Sequence, residues 1–166
     1  TEPVLPPIKG IEKEGVSTIF KSMTAMKALR EKVHTAQKVV IIGGGFIGAE
    51  FADELCHGMD IEIHIVEIMP KLLMTAFDDE FCDQIYEVLL KAGVTVHTGR
   101  RVESINGATR VDSVTLDGGE KISADMVLVS IGAKPAGGLA RRGHRARCVY
   151  RATRTHRLIP CRPSRF

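Results

Sequence analysis

The sequence predicts an α/β protein of three layers: a central parallel sheet, helices packed on one face and a small antiparallel β-meander on the other. Three observations carry that expectation. Apolar runs at 39–42, 61–67 and 126–131 have the composition of half- or fully buried strands. Segments with helical spacing separate the first of them, as in a chain of strand–helix–strand units. Between 100 and 122 the pattern changes to short strand-like runs broken by Asn-Gly and Asp-Gly-Gly, which are turn signals.

The elements follow in order. Residues 1–15, TEPVLPPIKGIEKEG, hold three prolines among the first seven and read as an extended lead-in. From about Ser22 the chain turns helical, with Met23, Met26, Ala28 or Leu29, and Val33 at roughly helical spacing. Residues 39–42 form a strand of the fully buried type. A helix over about 46–57 follows, with Gly58 as its stop. In 61–67, Ile61, Ile63 and Ile65 alternate onto one face of a second strand. Pro70 breaks the chain. Asp78 and Asp79 can cap and charge the next helix, which runs to about Ala92 with Phe81, Ile85, Val88 and Leu89 as its apolar stripe. Gly93 ends it, and 94–97 is a third strand. The meander occupies 100–122. A last buried strand over 126–131 is expected to rejoin the parallel sheet.

Totals narrow the function classes. The chain of 166 residues is long enough for one domain with a real core and too short for two large ones. The longest apolar stretch, 39–49, is too short to span a bilayer and contains four glycines. With no secretory leader, the expectation is a cytoplasmic protein without a membrane partner; it does not begin with Met, so a fragment of a longer one is a companion expectation. Cys56, Cys82, Cys148 and Cys161 form no CxxC or similar spacing, so free, partly buried thiols are expected and no metal site, disulfide or dithiol pair.

Charge divides the chain. Residues 1–135 carry 14 Lys and Arg against 20 Asp and Glu, a net of −6, whereas 136–166 carry nine Arg and no Lys, Asp or Glu, a net of +9. After Pro135 no apolar stripe is discernible at either period. Three readings compete for this segment: out-of-frame translation, which the composition favours, a disordered extension, and a nucleic-acid arm, the least favoured.

The stretch KVVIIGGGFIGAEFADEL carries the chemistry. Gly43, Gly45 and Gly48 have the spacing G-x-G-x-x-G, with Gly44, Phe46 and Ile47 between them. Alone the spacing is weak, but here it follows a buried strand, opens a helix, and is followed by a second strand ending in Glu67, 24 positions after Gly43. Gly43 permits the tight turn, Gly45 lets a pyrophosphate approach the backbone, and Gly48 lets helix and strand pack closely. The helix N-terminus offers free N–H groups to phosphate. Glu67 can accept from a ribose 2′-hydroxyl and would repel a 2′-phosphate, so NAD is favoured over NADP; Lys71 nearby is a candidate partial compensation. A Rossmann-like dinucleotide site is the expectation.

The same stretch resembles the pyridine-nucleotide-binding domain of the flavoprotein pyridine nucleotide-disulfide oxidoreductase family, which takes in NADH oxidases, coenzyme A-disulfide reductases and dihydrolipoamide dehydrogenases. The resemblance covers most of 1–135. TEPVLPPIKG looks like the segment leaving the family's FAD domain, and TGRRVESI and DMVLVSIGAKP sit in family order. It implies that Gly43 to Gly48 bind the NAD pyrophosphate, that Phe46 is the aromatic gate over the flavin, and that Glu50 contacts the nicotinamide carboxamide. It places Val102 and Gly132 beside the adenosine and the nicotinamide end. The alternatives are a core-packed Phe46, a Glu50 serving the first helical turn, and a Gly132 that merely ends a strand.

The family's FAD domain, redox-active cysteine and C-terminal interface domain have no counterpart in these residues, so no catalytic residue is carried over. The expected function is the NAD(H)-binding domain of an FAD-dependent NADH oxidoreductase, with NADH and a separate FAD domain as partners, a homodimer left open, and no turnover by this chain alone. A non-catalytic nucleotide-binding module or truncated fragment, nucleic-acid binding through the basic segment, and a glycine loop that holds FAD are the alternatives.

Overall fold

The computed structural model describes residues 2–19, 22–57 and 59–134. By its contacts the chain divides into Thr1–Pro135 and Ala136–Phe166. The expectations placed on 136–166, and on Gly58 as a helix stop, lie outside the described residues. Along the first unit come β1 (Glu2–Pro3), β2 (Val16–Thr18), α1 (Met23–His34), β3 (Lys38–Ile42), α2 (Phe46–Cys56), β4 (Glu62–Glu67) and α3 (Asp79–Lys91). Then follow β5 (Thr95–Thr98), β6 (Val102–Asn106), β7 (Ser113–Leu116), β8 (Lys121–Ser123), β9 (Met126–Val129) and β10 (Ala133–Lys134).

Five strands make a parallel sheet in the order β2-β9-β3-β4-β5. Both of its faces are covered, which is why β3 and β9 are apolar almost throughout. On one face Val39, Ile41, Ile63, Ile65 and Leu128 pack with Leu29 and Val33 of α1, Ala52 and Leu55 of α2 and Leu89 of α3. On the other, Val40, Ile42, Val66, Val127 and Val129 pack with Ile105, Val114, Leu116 and Ile122 of the antiparallel meander β6-β7-β8. Each fully buried Ile, Leu or Val contributes about 1.5–3 kcal/mol. The chain steps across the sheet in one direction through α1, α2 and α3, then returns to β9 through the meander. Crossovers between parallel strands are right-handed, so a reversal of direction moves the connection to the opposite face.

Local signals fix the ends. Ser22 caps α1, its Oγ accepting from Ala25 N at 3.3 Å, and Asp78 caps α3, accepting from Phe81 N at 3.3 Å. Gly93, at φ +90, ends α3. The Asp125 carboxylate accepts from Gln37 N (2.9 Å) and Lys38 N (3.2 Å), which starts β3 one residue earlier than its apolar run.

Three expectations need correction. The stripe of α3 is rotated: Phe81 and Val88 are exposed, while Cys82 and Leu89 are buried and Ile85 and Tyr86 pack beside them. The lead-in is not merely extended. Within it β1 pairs with β10, and the carbonyls of Lys9 and Glu14 accept from Ile105 N and Val111 N of the meander region; directly after it, β2 is an edge strand of the main sheet. β9 ends at Val129, where Ser130 N turns to Ile42 O at 2.9 Å.

Candidate functional site

The C-terminal ends of β3, β4 and β9 open into a cleft of about 910 Å³. Gly43, Gly45, Phe46, Ile47, Glu67, Val102 and Gly132 all line it. Gly44 and Gly48 lie buried behind the loop, and Glu50 is exposed on α2 outside the lining. Sequence reasoning missed Pro6, Pro7, Ile8, Arg100, Arg101 and Ser130, which join the same wall. They arrive there through strand order and through the lead-in crossing the meander, and neither leaves a local signal.

The glycines have different causes. Gly43 sits at φ +107, and a Cβ there would lie 2.8 Å from Ser130 O. A Cβ on Gly48 would overlap the Gly43 carbonyl oxygen, and one on Gly44 would overlap the Leu72 side chain. Gly43 and Gly48 are glycine because the protein's own backbone requires it, and Gly44 packs closely against the Leu72 side chain. Gly45 has φ −76 and would place a Cβ where nothing lies within 4 Å. Among the described residues no atom demands glycine there, and the space in front of it is the cleft.

Gly45 is also the N-cap of α2, and it supplies no side-chain cap. α1 and α3 have such caps; α2 does not, and no acidic residue stands in its first turn. Glu50 therefore lies beyond the first turn, which removes the dipole reading. The result is a helix start with free N–H groups and no competing carboxylate, facing open volume. It suits an anion. Ser130 steadies the loop from β9, its Oγ lying 2.9 Å from Gly43 O and 3.1 Å from Ile42 O.

Glu67 does more than the sequence suggests. Its Oε2 accepts from Gly44 N at 2.6 Å and its Oε1 from Met69 N at 2.8 Å. The carboxylate thus ties the glycine loop to the loop after β4, and Leu73 N adds a bond to Gly44 O at 3.0 Å. Each carboxylate oxygen has a further lone pair for a hydroxyl in the cleft. Lys71 is engaged elsewhere, 2.8 Å from Asp83 and 3.7 Å from Asp79, and the Asp83 carboxylate pushes its pKa up. It is not a free counter-charge for a 2′-phosphate. Arg100 bonds Asp117 at 3.0 Å and Glu120 at 2.9 Å; Arg101 has an exposed side chain in the cleft wall.

Phe46, at the first position of α2, is 60% exposed and makes an edge contact with Phe77 at 5.4 Å. It is not packed in the core. Gly132, also in the lining, holds φ +115, and its carbonyl accepts from Val4 N at 3.0 Å. Val102, 4% exposed, forms part of the wall. Cys56 and Cys82 lie outside the lining, and burial together with Asp53 pushes the Cys56 thiol pKa up.

Residues 1–150 match the family described as pyridine nucleotide-disulphide oxidoreductase. The chain belongs to that family. It is 32% identical over 145 residues to an NADH oxidase of Methanocaldococcus jannaschii, across 85% of this chain and 31% of that protein. Among solved structures it is similar to a NAD-dependent persulfide reductase from A. fulgidus (35% identity, TM-score 0.75, 85% of this chain and 26% of that one). It is also similar to a water-forming NADH oxidase from Lactobacillus brevis, solved with NADH bound (28% identity, TM-score 0.75, 84% and 30%). The chain spans about a third or less of the length of the curated relatives it matches. Members of this family are FAD- and NAD(P)H-dependent. No helix among the described residues is long and apolar enough to cross a membrane.

Proposed function

We propose that this chain is the NAD(H)-binding domain of an FAD-dependent NADH oxidoreductase and that the cleft positions NADH for a flavin held by another domain. The observation that carries the reading is Gly45: a glycine that no atom of the described residues requires, capping an otherwise uncapped helix, in front of an open cleft. Those features fit a pyrophosphate lying against the backbone. Gly43, Gly44 and Gly48 shape the loop, and Ser130 and Glu67 hold it in place. Glu67 accepts a ribose hydroxyl through its remaining lone pairs, and its charge disfavours a 2′-phosphate, so NADH is preferred to NADPH. Val102 lies toward the adenosine. Phe46 and Gly132 border the nicotinamide end, where the exposed Phe46 ring, which no core packing pins, can swing aside.

The bound nicotinamide supplies the hydride; the chain supplies position and electrostatics. Glu50 reaches the carboxamide only if closure by the flavin domain brings it in, because it lies outside the lining of this unit. The reading extends to a cytoplasmic location for the parent enzyme.

The test is a fluorescence titration of the purified chain with NADH, with NADPH and FAD in parallel. The expected result is saturable binding with NADH tightest, and Glu67→Gln narrowing the margin over NADPH. Absence of binding by all three, or FAD binding tightest, overturns the assignment.

A further inference from the structure

The end of α2 away from the cleft carries a different chemistry. Asp53, Cys56 and His57 occupy positions i, i+3 and i+4, which share one face of a helix. Their ligand-type atoms all lie within 4.8 Å of one another. Cys56 Sγ is 3.5 Å from His57 Nδ1, and His57 Nδ1 is 3.8 Å from Asp53 Oδ1.

We propose that Asp53, Cys56 and His57 form a divalent cation site of the zinc class. A tetrahedral ion with metal–sulfur and metal–nitrogen bonds of ordinary length sets sulfur and nitrogen about 3.5 Å apart, and nitrogen and oxygen about 3.4 Å apart. The first separation is already met. The second needs a movement of a few tenths of an ångström by Asp53, whose side chain is 48% exposed and free to make it. His57 is the C-cap, with extended backbone at φ −90 and ψ +96, and its ring returns to the helix, 2.6 Å from Asp53 O. The Cys56 thiol also donates to that carbonyl, at 2.9 Å.

Coordination replaces both of those hydrogen bonds. The thiol gives up its proton to solvent, and the imidazole moves its hydrogen to Nε2, leaving Nδ1 for the ion. The helix C-terminus favours positive charge, and no basic residue in the last turn of α2 competes for it. One thiolate, one imidazole and one carboxylate suit zinc or cobalt and not magnesium or calcium, which take oxygen donors. With His57 70% exposed, water can complete the coordination.

An 11-residue helix separates this end from Gly45 by about 16 Å, so the ion and the nucleotide bind without sharing atoms. The cysteine spacing of the sequence could not show the site, because its partners are an Asp and a His.

The test is titration of the full chain with Co²⁺, followed by displacement with Zn²⁺. The expected result is one equivalent of cobalt with a thiolate charge-transfer band and tetrahedral visible bands, bleached by zinc. Cys56→Ser abolishes the charge-transfer band. His57→Ala, at an exposed position whose loss cannot unfold the helix, weakens binding by about tenfold or more, as removal of one of few ligands does. Cys148→Ser and Cys161→Ser leave the bands unchanged. NADH affinity, measured on the same samples, is unaffected by Cys56→Ser. Bands that persist in Cys56→Ser, affinity unchanged in His57→Ala, or absence of any cobalt band in the parent chain overturns the proposal.

Discussion

At the scale of single residues, Gly45 and Gly48 are the same residue type for opposite reasons, and substitution separates them. Gly48→Ala drives a methyl into the Gly43 carbonyl and to 2.8 Å of Ser130 Oγ, so it is expected to lower stability by about 1–3 kcal/mol, read as a fall in melting temperature. Gly45→Ala meets no atom of the described residues. Its melting temperature is expected to hold, while NADH affinity falls about tenfold, or ~1.4 kcal/mol. Glu67→Ala leaves the buried Gly44 N–H without its acceptor and is expected to cost about 1–3 kcal/mol in denaturant unfolding, on top of its effect on nucleotide choice. The loop spacing and the strand-ending acid were legible in the sequence because both are local. That Glu67 binds the loop as well as facing the cleft was not legible, since it depends on how closely β3 and β4 bring Gly44 and Glu67 together.

At the scale of elements, β4 and β5 stack His64 on His97, with His64 Nδ1 3.1 Å from His97 Nε2 and His64 Nε2 2.9 Å from Glu62. Burial first, and then the neighbouring His64, lower the pKa of His97 below its ordinary value of 6.5; Glu120 opposes this and Arg100 adds to it. In the unfolded chain His97 takes up its proton at the ordinary value, and in the folded chain only at lower pH. Between those two values the unfolded state binds more protons, so stability falls as pH drops below about 6.5. His97→Gln is expected to flatten the melting temperature between about pH 7 and pH 5. Asp78→Ala removes the cap of α3 and should cost about 1 kcal/mol, measured by urea unfolding. Strands with continuous apolar runs, β3 and β9, were readable from composition. β2 was not: it has three residues, and its partner β9 lies more than a hundred positions away in sequence. The stripe of α3 was misplaced because Phe-Cys-x-x-Ile-Tyr offers two overlapping faces, and the larger Phe81 is the one left exposed, tilted against Phe77 at 6.0 Å.

At the scale of the whole molecule, the chain spans 31% of the length of the Methanocaldococcus jannaschii NADH oxidase, and its two segments carry opposite charge. Among the described residues, those that line the cleft run from Pro6 to Gly132. On the proposal that the glycine loop and Glu67 hold the nucleotide, deleting 136–166 is expected to leave NADH affinity within about twofold, which is a negligible energy difference on the scale of binding; a larger loss would give that segment a role in the site. The most direct test of the central claim is amide chemical-shift mapping of the full, isotope-labelled chain as NADH is added. The expected result is a saturable set of shifts at Gly43 to Gly48, Glu67, Arg101, Val102 and Ser130 to Gly132, with His57 and the residues of β7 and β8 unmoved. Saturating NADH with those loop amides unmoved, or shifts clustered away from the cleft, would contradict it.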